Sequence, residues 1–255
     1  MNRLGSKSGH LQSVIEIGET DRVFILTGAG ISAESGLATF RGAGGLWRNH
    51  RIEEVASPQA WRRDPVTVWE FYSQRRRAAL AAQPNPGHLA LARLEDILGD
   101  RLFLCTQNVD DLHERAGSRG AAHMHGELFK SRCDTCDRTP FEDRNTYEPP
   151  DGIPHCGCGG WIRPHICWFG EVPFEMDRIA RALDEYTLFL AVGTSGVVEP
   201  AASFAARTRA NARTVYIGPE EPTNSYAFAE TYLGKAGEFL PGLFHCAGAS
   251  RRTTG

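Results

Sequence analysis

The sequence predicts an α/β protein in which helices cover both faces of a parallel β-sheet. Short apolar runs of strand length alternate with helical stretches, and small or polar residues follow each run. The runs are apolar throughout rather than at alternate positions, which is typical of strands buried on both faces of a parallel sheet. The 255 residues allow one large domain, or one core with a smaller insert.

The predicted elements follow the chain in order. The strands are residues 23–27 (VFILT), 101–106 (RLFLCT), 188–192 (LFLAV) and 214–217 (TVYI), and the helices are residues 64–82, 174–185 and 200–209. Segments 41–86 and 131–164 interrupt this alternation, because the first carries no clear strand and the second is rich in turn residues and poor in aliphatic ones. We expect these two segments to form a second, smaller lobe.

The composition excludes several classes of protein. Hydrophobic residues make up 41% and charged residues 23%, which is ordinary for a globular protein and excludes a disordered chain, a collagen and a disulfide-rich miniprotein. No apolar run approaches the roughly 18 residues that cross a bilayer, and residues 1–12 lack the apolar stretch of a signal peptide. The net charge of -3 disfavours electrostatic binding to nucleic acid or membranes. We therefore expect a cytoplasmic protein with no nucleic-acid or membrane partner.

A glycine-rich turn follows the first predicted strand. Residues 28–33 fit the pattern G-x-G-x-x-A between a strand and a helix, which would let the backbone approach a pyrophosphate. The alternative is a tight structural turn. No second strand ends in the acidic residue that binds a ribose, so an ordinary dehydrogenase is disfavoured. The turns at 107–110, 193–195 and 218–219 should converge with this one, because ligands of such sheets bind outside the carboxyl ends of the strands.

Four of the seven cysteines lie close together in the sequence. They are Cys133, Cys136, Cys156 and Cys158. Four thiolates at this spacing can close a tetrahedral zinc site, and since sulfur fills every position such a site is structural. The alternative is a chance cluster of buried cysteines. An odd cysteine count without an export signal favours metal binding in a reducing cytosol over disulfides. A zinc ribbon that binds nucleic acid is disfavoured, because residues 131–164 lack interleaved basic and aromatic residues.

Two histidines, His123 and His125, lie two residues apart near the predicted crevice. Either could act as a general base. A single histidine is more often structural, and position alone does not choose between the two.

Taken together, these motifs resemble those of the sirtuin (Sir2-like) family. The matching segments are 27–36 (TGAGISAESG), 38–42 (ATFRG), 106–117 (TQNVDDLHERAG), 125–130 (HGELFK), 163–171 (RPHICWFGE) and 193–201 (GTSGVVEPA). The resemblance runs from about residue 20 to 246. It implies a single catalytic domain over 1–247 and a tail at 248–255. The implied Rossmann-like lobe comprises about 20–41, 88–130 and 165–247, and the small lobe comprises a helical module at 42–87 and a zinc ribbon at 131–164.

The resemblance implies an NAD-dependent protein-lysine deacylase with one structural zinc ion, acting on acyl-lysine proteins or peptides. NAD would be consumed rather than used for hydride transfer, which accounts for the missing ribose acid. In this chemistry the acyl oxygen attacks the nicotinamide ribose, nicotinamide leaves, and a histidine acts as base on a ribose hydroxyl. Free lysine and O-acyl-ADP-ribose are the products. A plain lysine deacetylase and a sirtuin-type mono-ADP-ribosyltransferase are the alternatives within the family.

The resemblance also assigns residues. His125 is implied as the catalytic base and His123 as a structural residue. The implied NAD-binding residues are Gly28, Ala29, Gly30, Ala33, Glu34, Phe40, Arg41, Trp47, Gln107, Asn108, Asp110, Gly193, Thr194, Ser195, Gly218 and Ala236. The segment Trp168, Phe169, Gly170 and Glu171 would pair with the substrate peptide as a strand. At Gly218 many sirtuins carry Asn, so the side-chain contact to the adenine ribose is open here, with a backbone contact as the alternative.

The predicted helix over 64–82 carries a candidate acyl-binding pair. Tyr72 and Arg75 are three residues apart and share a helix face, where a phenol hydroxyl beside a guanidinium makes a carboxylate receptor. The pair resembles the Y-x-x-R motif of class III sirtuins, which remove malonyl, succinyl or glutaryl groups. Ala56 matches the small residue that widens the acyl pocket of those enzymes. We expect Arg76 and Arg77 to be solvated.

Overall fold

The computed structural model describes residues 14–39, 46–47, 50–51, 54–147, 152–208 and 211–247. The strands are β1 (Ile15–Ile17), β2 (Val23–Thr27), β3 (Leu46–Trp47), β4 (His50–Arg51), β5 (Leu102–Thr106), β6 (Ala122–His123), β7 (Gly126–Cys133), β8 (Phe141–Glu142), β9 (Ile162–Ile166), β10 (Leu188–Val192), β11 (Arg213–Gly218), β12 (Glu230–Leu233) and β13 (Phe244–Cys246). The α-helices are α1 (Ala29–Ala33), α2 (Pro58–Arg63), α3 (Pro65–Ala81), α4 (Pro86–Leu98), α5 (Leu112–Arg115), α6 (Met176–Glu185), α7 (Phe204–Arg207) and α8 (Ala236–Leu243).

Six parallel strands form the main sheet, in the order β12-β11-β10-β2-β5-β6. Successive side chains of a strand point to opposite faces, so each fully apolar strand contributes to two cores. Val23 and Ile25 join the core beneath α4 and α8, whereas Phe24 and Leu26 join the core beneath α6 and α7. The predicted fold class is confirmed.

Most predicted elements of the main sheet match the structure to within two residues, and one helix does not. The predicted helix at 200–209 is a 3-10 turn at Ala201–Ser203 followed by the short α7. The features that were not predicted include α4, α8, the two edge strands β6 and β12, and the parallel pairing of β1 with β13, which joins the two ends of the described chain.

The small lobe packs α2 and α3 against an antiparallel sheet in the order β8-β7-β9. Its core contains Trp61, Trp69 and Trp168, each at most 4% exposed. The predicted boundaries at 130/131 and 164/165 fall inside β7 and β9. The reason is that the two strands pair along their length, from Gly126 with Ile166 to Cys133 with Ile162.

Arg76 corrects one prediction, because it is fully buried rather than solvated. Its guanidinium forms an ion pair with Asp143 at 3.2 Å and donates to the carbonyl oxygen of Leu128 at 2.9 Å and to the Ser131 hydroxyl at 3.0 Å. Arg76 therefore ties α3 to the β-sheet of the small lobe. Arg77, the next residue, is exposed.

Among the described residues, no helix is both long enough and apolar enough to span a lipid bilayer.

Candidate active site

The turns that follow β2, β5, β10 and β11 are bonded to one another at the carboxyl edge of the sheet. The Thr27 hydroxyl donates to the Thr106 hydroxyl at 2.8 Å. The backbone N–H of Gly28 donates to the Val192 carbonyl oxygen at 2.9 Å, and that of Gly193 donates to the Ile217 carbonyl oxygen at 2.8 Å. The predicted turns thus meet along one crevice, as expected for this class of sheet.

The glycines of the first turn are required by the turn that follows β10. A Cβ atom on Gly28 would lie 2.9 Å from the Gly193 carbonyl oxygen, and one on Gly30 would lie 2.7 Å from the Gly193 Cα. Gly193 has a φ of 62°, in the region that favours glycine. The tight structural turn considered as an alternative is therefore present, and it brings the N-terminus of α1 to the crevice.

Asn108 and Asp110 lie behind this turn and are both buried. The Asn108 amide donates to the Gly28 carbonyl oxygen at 3.1 Å and to the Ser32 hydroxyl at 3.0 Å. Burial raises the pKa of the Asp110 carboxyl. Both residues line a cavity whose lining residues are Ala29, Ser32, Gly36, Leu37, Ala38, Phe71, Gln74, Arg75, Ala78, Ala79, Asn108, Val109, Asp110 and Leu128.

His125 has the tautomer that a base requires. Its Nδ1 lies 3.1 Å from the Gln107 carbonyl oxygen. A carbonyl oxygen only accepts, so Nδ1 carries the proton of the neutral ring and Nε2 keeps its lone pair. Burial lowers the pKa of His125, which favours that neutral form. The next residue must be glycine, because Gly126 has a φ of 86° and a Cβ there would lie 2.1 Å from the His165 carbonyl oxygen.

His123 has both ring nitrogens occupied. Nδ1 lies 3.1 Å from the Asn108 carbonyl oxygen, and Nε2 lies 2.9 Å from a Glu114 carboxylate oxygen. Burial lowers the pKa of His123, but the Glu114 carboxylate outweighs burial and the net shift is upward. A ring with two acceptors as partners suits the protonated form, so His123 lacks the free lone pair that His125 keeps. The structural role of His123 and the catalytic role of His125 stay predictions.

The far end of the crevice is built around Tyr216. Its hydroxyl lies 3.1 Å from the Thr194 carbonyl oxygen, and the Thr194 hydroxyl accepts from the Gln107 amide at 3.0 Å. A Cβ on Gly218 would lie 2.2 Å from the Tyr216 hydroxyl oxygen. The phenol of Tyr216 thus explains why this chain carries glycine at position 218. The next residue of the turn, Ser195, has a carbonyl oxygen that accepts from the Thr223 N–H at 3.1 Å.

Other residues implied for NAD binding lie at the border of the crevice. The Glu34 carboxylate accepts from the Gly237 N–H at 3.2 Å and so caps the N-terminus of α8, beside the buried Ala236. Ala33 is exposed. Phe40 and Arg41 lie outside the described residues, as does the side chain of Trp47, whose backbone belongs to β3.

Asn85 is a residue of this region that the sequence analysis missed. Its amide donates to the Ile31 carbonyl oxygen at 2.7 Å and to the Ser35 hydroxyl at 2.9 Å, while its own oxygen caps α4. It therefore holds α1 against α4. The Asn-Pro pair at 85–86, a helix N-cap followed by proline at the first helical position, is the signal that could have identified it.

Arg75 and Tyr72 are neighbours on α3, but only Arg75 is among the described residues that line the cavity. The Arg75 guanidinium carbon lies 5.9 Å from the centre of the Tyr72 ring. Burial lowers the pKa of Arg75 and raises that of Tyr72. The Tyr72 hydroxyl accepts from the Trp168 indole N–H at 2.9 Å. Ala56 packs in the same small-lobe core as Tyr72 and Trp168 rather than in the cavity wall.

Residues 168–171 form a turn. The Glu171 N–H donates to the Trp168 carbonyl oxygen at 2.9 Å, and Gly170 has a φ of 88°, which is typical of a type II turn. The Glu171 carboxylate closes the turn by accepting from the Trp168 N–H at 2.8 Å. It also forms an ion pair with Arg163 at 2.7 Å. Phe169 is half exposed at the tip, and the binding of a peptide by this segment stays a prediction.

The four cysteines of the predicted zinc site lie together at one end of the small lobe. All four sulfur atoms are within 4.8 Å of one another. The sulfur atoms of Cys133 and Cys158 are 3.5 Å apart, and those of Cys136 and Cys156 are 3.8 Å apart. A tetrahedron of Zn–S bonds of about 2.3 Å has edges of about 3.8 Å, so the donor set fits one zinc ion.

The electrostatics of the cluster also suit a cation. The backbone N–H of Cys136 and then that of Thr135 lower the pKa of Cys133. At Cys158 the N–H of Gly160 lowers the thiol pKa, but the neighbouring cysteines raise it to about 12. A metal ion between the four sulfur atoms would favour their ionised forms.

A sequence profile of the Sir2 family matches residues 28–200, which include most of the crevice and all of the cysteine cluster. The chain belongs to the Sir2 family. Its relatives include an NAD-dependent protein deacylase of Caulobacter vibrioides, 49% identical over 86% of this chain and 94% of the relative. Another is an NAD-dependent protein deacylase of Escherichia coli (strain K12), 48% identical over 89% of this chain and 82% of the relative.

Solved structures of the Sir2 family agree with this assignment. A Sir2 homologue in complex with NAD superimposes with a TM-score of 0.81 at 42% identity, over 88% of each chain. A Sir2 protein bound to an acetylated peptide gives a TM-score of 0.75 at 27% identity, over 87% of this chain and 91% of the other. The predictions of family, fold and NAD-dependent protein deacylase activity are confirmed.

Proposed function

We propose that this Sir2-family deacylase prefers acyl groups that end in a carboxylate, namely malonyl, succinyl and glutaryl groups on lysine, and also removes acetyl. The observation that carries the proposal is Arg75, the one basic side chain among the described residues that line the cavity. The substrates are acyl-lysine proteins or peptides.

Arg75 is suited to bind a carboxylate because apolar side chains lie beside it in the cavity. Phe71, Ala78, Ala79 and Leu128 line the same cavity. A carboxylate that enters such a pocket loses its hydration and needs a partner. Charge-assisted hydrogen bonds to a guanidinium contribute about 1.5–3 kcal/mol, and an acetyl group cannot form them. Burial keeps Tyr72 protonated by raising its pKa, so its hydroxyl can serve as a second donor.

The crevice also suits NAD, which when bound supplies the electrophilic ribose carbon and the nicotinamide leaving group. One part of the cavity wall carries Asn108 and the Asp110 carboxyl, and these polar groups fit the carboxamide of nicotinamide. The Gly28 turn and the Thr194 turn would hold the phosphates and the adenosine side. His125 is held by Gln107, the residue next to Asn108, with Nε2 free to take a proton from a hydroxyl.

A plain deacetylase is the second candidate. It is favoured by the absence of Tyr72 from the described residues that line the cavity, and by the acetylated peptide of one structural relative.

The cytoplasm is the proposed location, since a four-thiolate zinc site requires cysteines that stay reduced.

The test compares acetyl, malonyl, succinyl and glutaryl peptides of one sequence, incubated with enzyme and NAD and followed by mass spectrometry. We expect kcat/KM to be higher for the acidic acyl groups. In Arg75→Met the ratio of succinyl to acetyl kcat/KM should fall about ten- to a hundredfold, since the guanidinium acts only on the carboxylate. Arg77→Met, an exposed arginine of the same helix, is the matched control and should keep the ratio. Equal losses on both peptides in Arg75→Met would overturn the acyl preference.

A further inference from the structure

The Tyr72 hydroxyl is buried and accepts a hydrogen bond, while its own proton has no acceptor among the described residues. Tyr72 is 1% exposed, and its oxygen accepts from the Trp168 indole N–H at 2.9 Å. An indole N–H is a donor only, so the phenol must accept and its own proton must point elsewhere. Within the described part of the chain, the Tyr72 hydroxyl donates no hydrogen bond. A buried donor without an acceptor is costly, which indicates that an acceptor arrives with the substrate.

The Trp168 side chain is held rigidly in the position from which it donates. The guanidinium carbon of Arg163 lies 3.3 Å from the centre of a Trp168 ring, and Trp61 packs at 5.9 Å between ring centres. The Trp168 backbone N–H is bonded to Glu171, which in turn is paired with Arg163. Trp168 is 2% exposed, so the ring has no room to change its rotamer.

The hydrogen bond between Tyr72 and Trp168 bears on acyl specificity because Arg75 lies beside Tyr72. Its guanidinium is as close to Tyr72 as to Phe71, 5.9 Å from each ring centre. A phenol oxygen without a donor would compete for the N–H groups of Arg75. The Trp168 indole donates to that oxygen and turns the Tyr72 proton away from the indole.

We infer that Trp168 is a positioning residue for acyl recognition, whose side-chain N–H orients the Tyr72 hydroxyl toward the carboxylate of an acidic acyl-lysine. The inference rests on the proposed preference for acidic acyl groups. It gives the Trp168 side chain a role separate from the backbone role that the sequence implied for residues 168–171.

The test is a double-mutant cycle on the ratio of succinyl to acetyl kcat/KM, with two peptides of one sequence. The proteins are the parent enzyme, Tyr72→Phe, Trp168→Phe and the double variant. Each single substitution should lower the ratio about two- to tenfold, the range of one neutral hydrogen bond. The double variant should fall no further than Tyr72→Phe, because Trp168 acts through the hydroxyl that Tyr72→Phe removes. Both peptides are assayed on one preparation, so the ratio cancels any loss of folded enzyme.

Two further proteins make the result specific. Trp69→Phe is the matched control, since Trp69 is a buried tryptophan of the same cluster whose N–H is bonded to the Ile162 carbonyl oxygen at 2.9 Å, and it should keep the ratio. Site-specific replacement of Trp168 by benzothienylalanine, in which sulfur takes the place of N–H, preserves the shape and should lower the ratio as Trp168→Phe does.

An unchanged ratio in Trp168→Phe overturns the inference. The inference is also overturned if Trp168→Phe lowers the ratio of succinyl to acetyl kcat/KM by the same factor in the Tyr72→Phe background as in the parent enzyme. If Arg75→Met lowers the ratio while Trp168→Phe does not, only the inference fails. If Arg75→Met leaves the ratio unchanged, the proposed function fails first.

Discussion

At the scale of single residues, the site separates two histidines that look alike in sequence. His125 donates one N–H to a carbonyl oxygen and keeps a lone pair, whereas His123 is bonded on both sides and is stabilised in its charged form by Glu114. The difference arises from the partners that the loop after β5 and helix α5 present to each ring. His123 ends β6 and His125 lies in the turn before β7, and the partners of each ring distinguish their chemistry.

His125 should therefore set the acid limb of the pH profile. Burial places its pKa below 6.5, so the base form persists at neutral pH, and kcat/KM should fall only as the pH drops through that lowered value. His125→Ala should abolish acyl removal and leave the fold intact by circular dichroism. His123→Gln should keep the acid limb in the same place. Near-normal deacylation by His125→Ala would show that another group is the base.

At the scale of elements, α3 links the cavity to the small lobe through two successive arginines. Arg75 faces the cavity, and Arg76 crosses to the other side of the helix and enters the lobe beneath β7. Asp143 is the counter-charge of Arg76 and is only 4% exposed. Burial acts to raise the pKa of the Asp143 carboxyl, but its hydrogen bonds and the charge of Arg76 outweigh burial and the net shift is downward. The position of α3, and thus of Arg75, depends on this buried pair.

Arg76→Met should lower the free energy of unfolding by about 3–5 kcal/mol, because Asp143 would remain as a buried charge without its cation. Urea unfolding followed by circular dichroism measures the change. Adding Asp143→Leu should recover part of the loss, since an apolar pair needs no desolvation of charge. Arg77→Met should change stability by less than about 0.5 kcal/mol. A loss in Arg76→Met no larger than that of Arg77→Met would contradict a structural role for the pair.

At the scale of the whole molecule, the cysteine cluster is connected to the acyl site through aromatic packing. Asp134 lies between two of the cysteines and accepts from the Trp61 indole at 3.1 Å. Trp61 packs against Trp168, which in turn is bonded to Tyr72. We therefore expect metal binding at the cysteine cluster to support the proposed acyl site through these contacts.

One zinc ion should bind per chain, and its removal should abolish activity by unfolding the small lobe. Four sulfur ligands leave no position for a catalytic water, so the metal acts through folding. Elemental analysis gives the stoichiometry, and tryptophan fluorescence follows the lobe, whose core holds Trp61, Trp69 and Trp168. Re-addition of zinc should restore both the tryptophan fluorescence and the deacylase activity. A chelated protein with an intact lobe and no activity would refute the structural role.

Sequence alone was sufficient wherever the signal is local. Four strands of the main sheet, β2, β5, β10 and β11, are mainly apolar because both of their faces are covered, and this pattern predicted their positions. The spacing of the four cysteines predicted one metal site, since each ligand pair lies within one turn. The motif order from Thr27 to Ala201 was enough to assign the Sir2 family, and the Tyr72–Arg75 spacing was enough to place both side chains on one helix face.

Tertiary structure decided what depends on contacts between distant parts of the chain. The burial of Arg76 depends on Asp143, 67 positions later, and an arginine in a run of three carries no local sign of that partner. The turn at 168–171 depends on Arg163 and Glu171, whose ion pair closes it. The bond from Trp168 to Tyr72 spans 96 positions and joins a loop to a helix. Periodicity reports which face of an element is buried, whereas the identity of the group across the interface is set only when the chain folds.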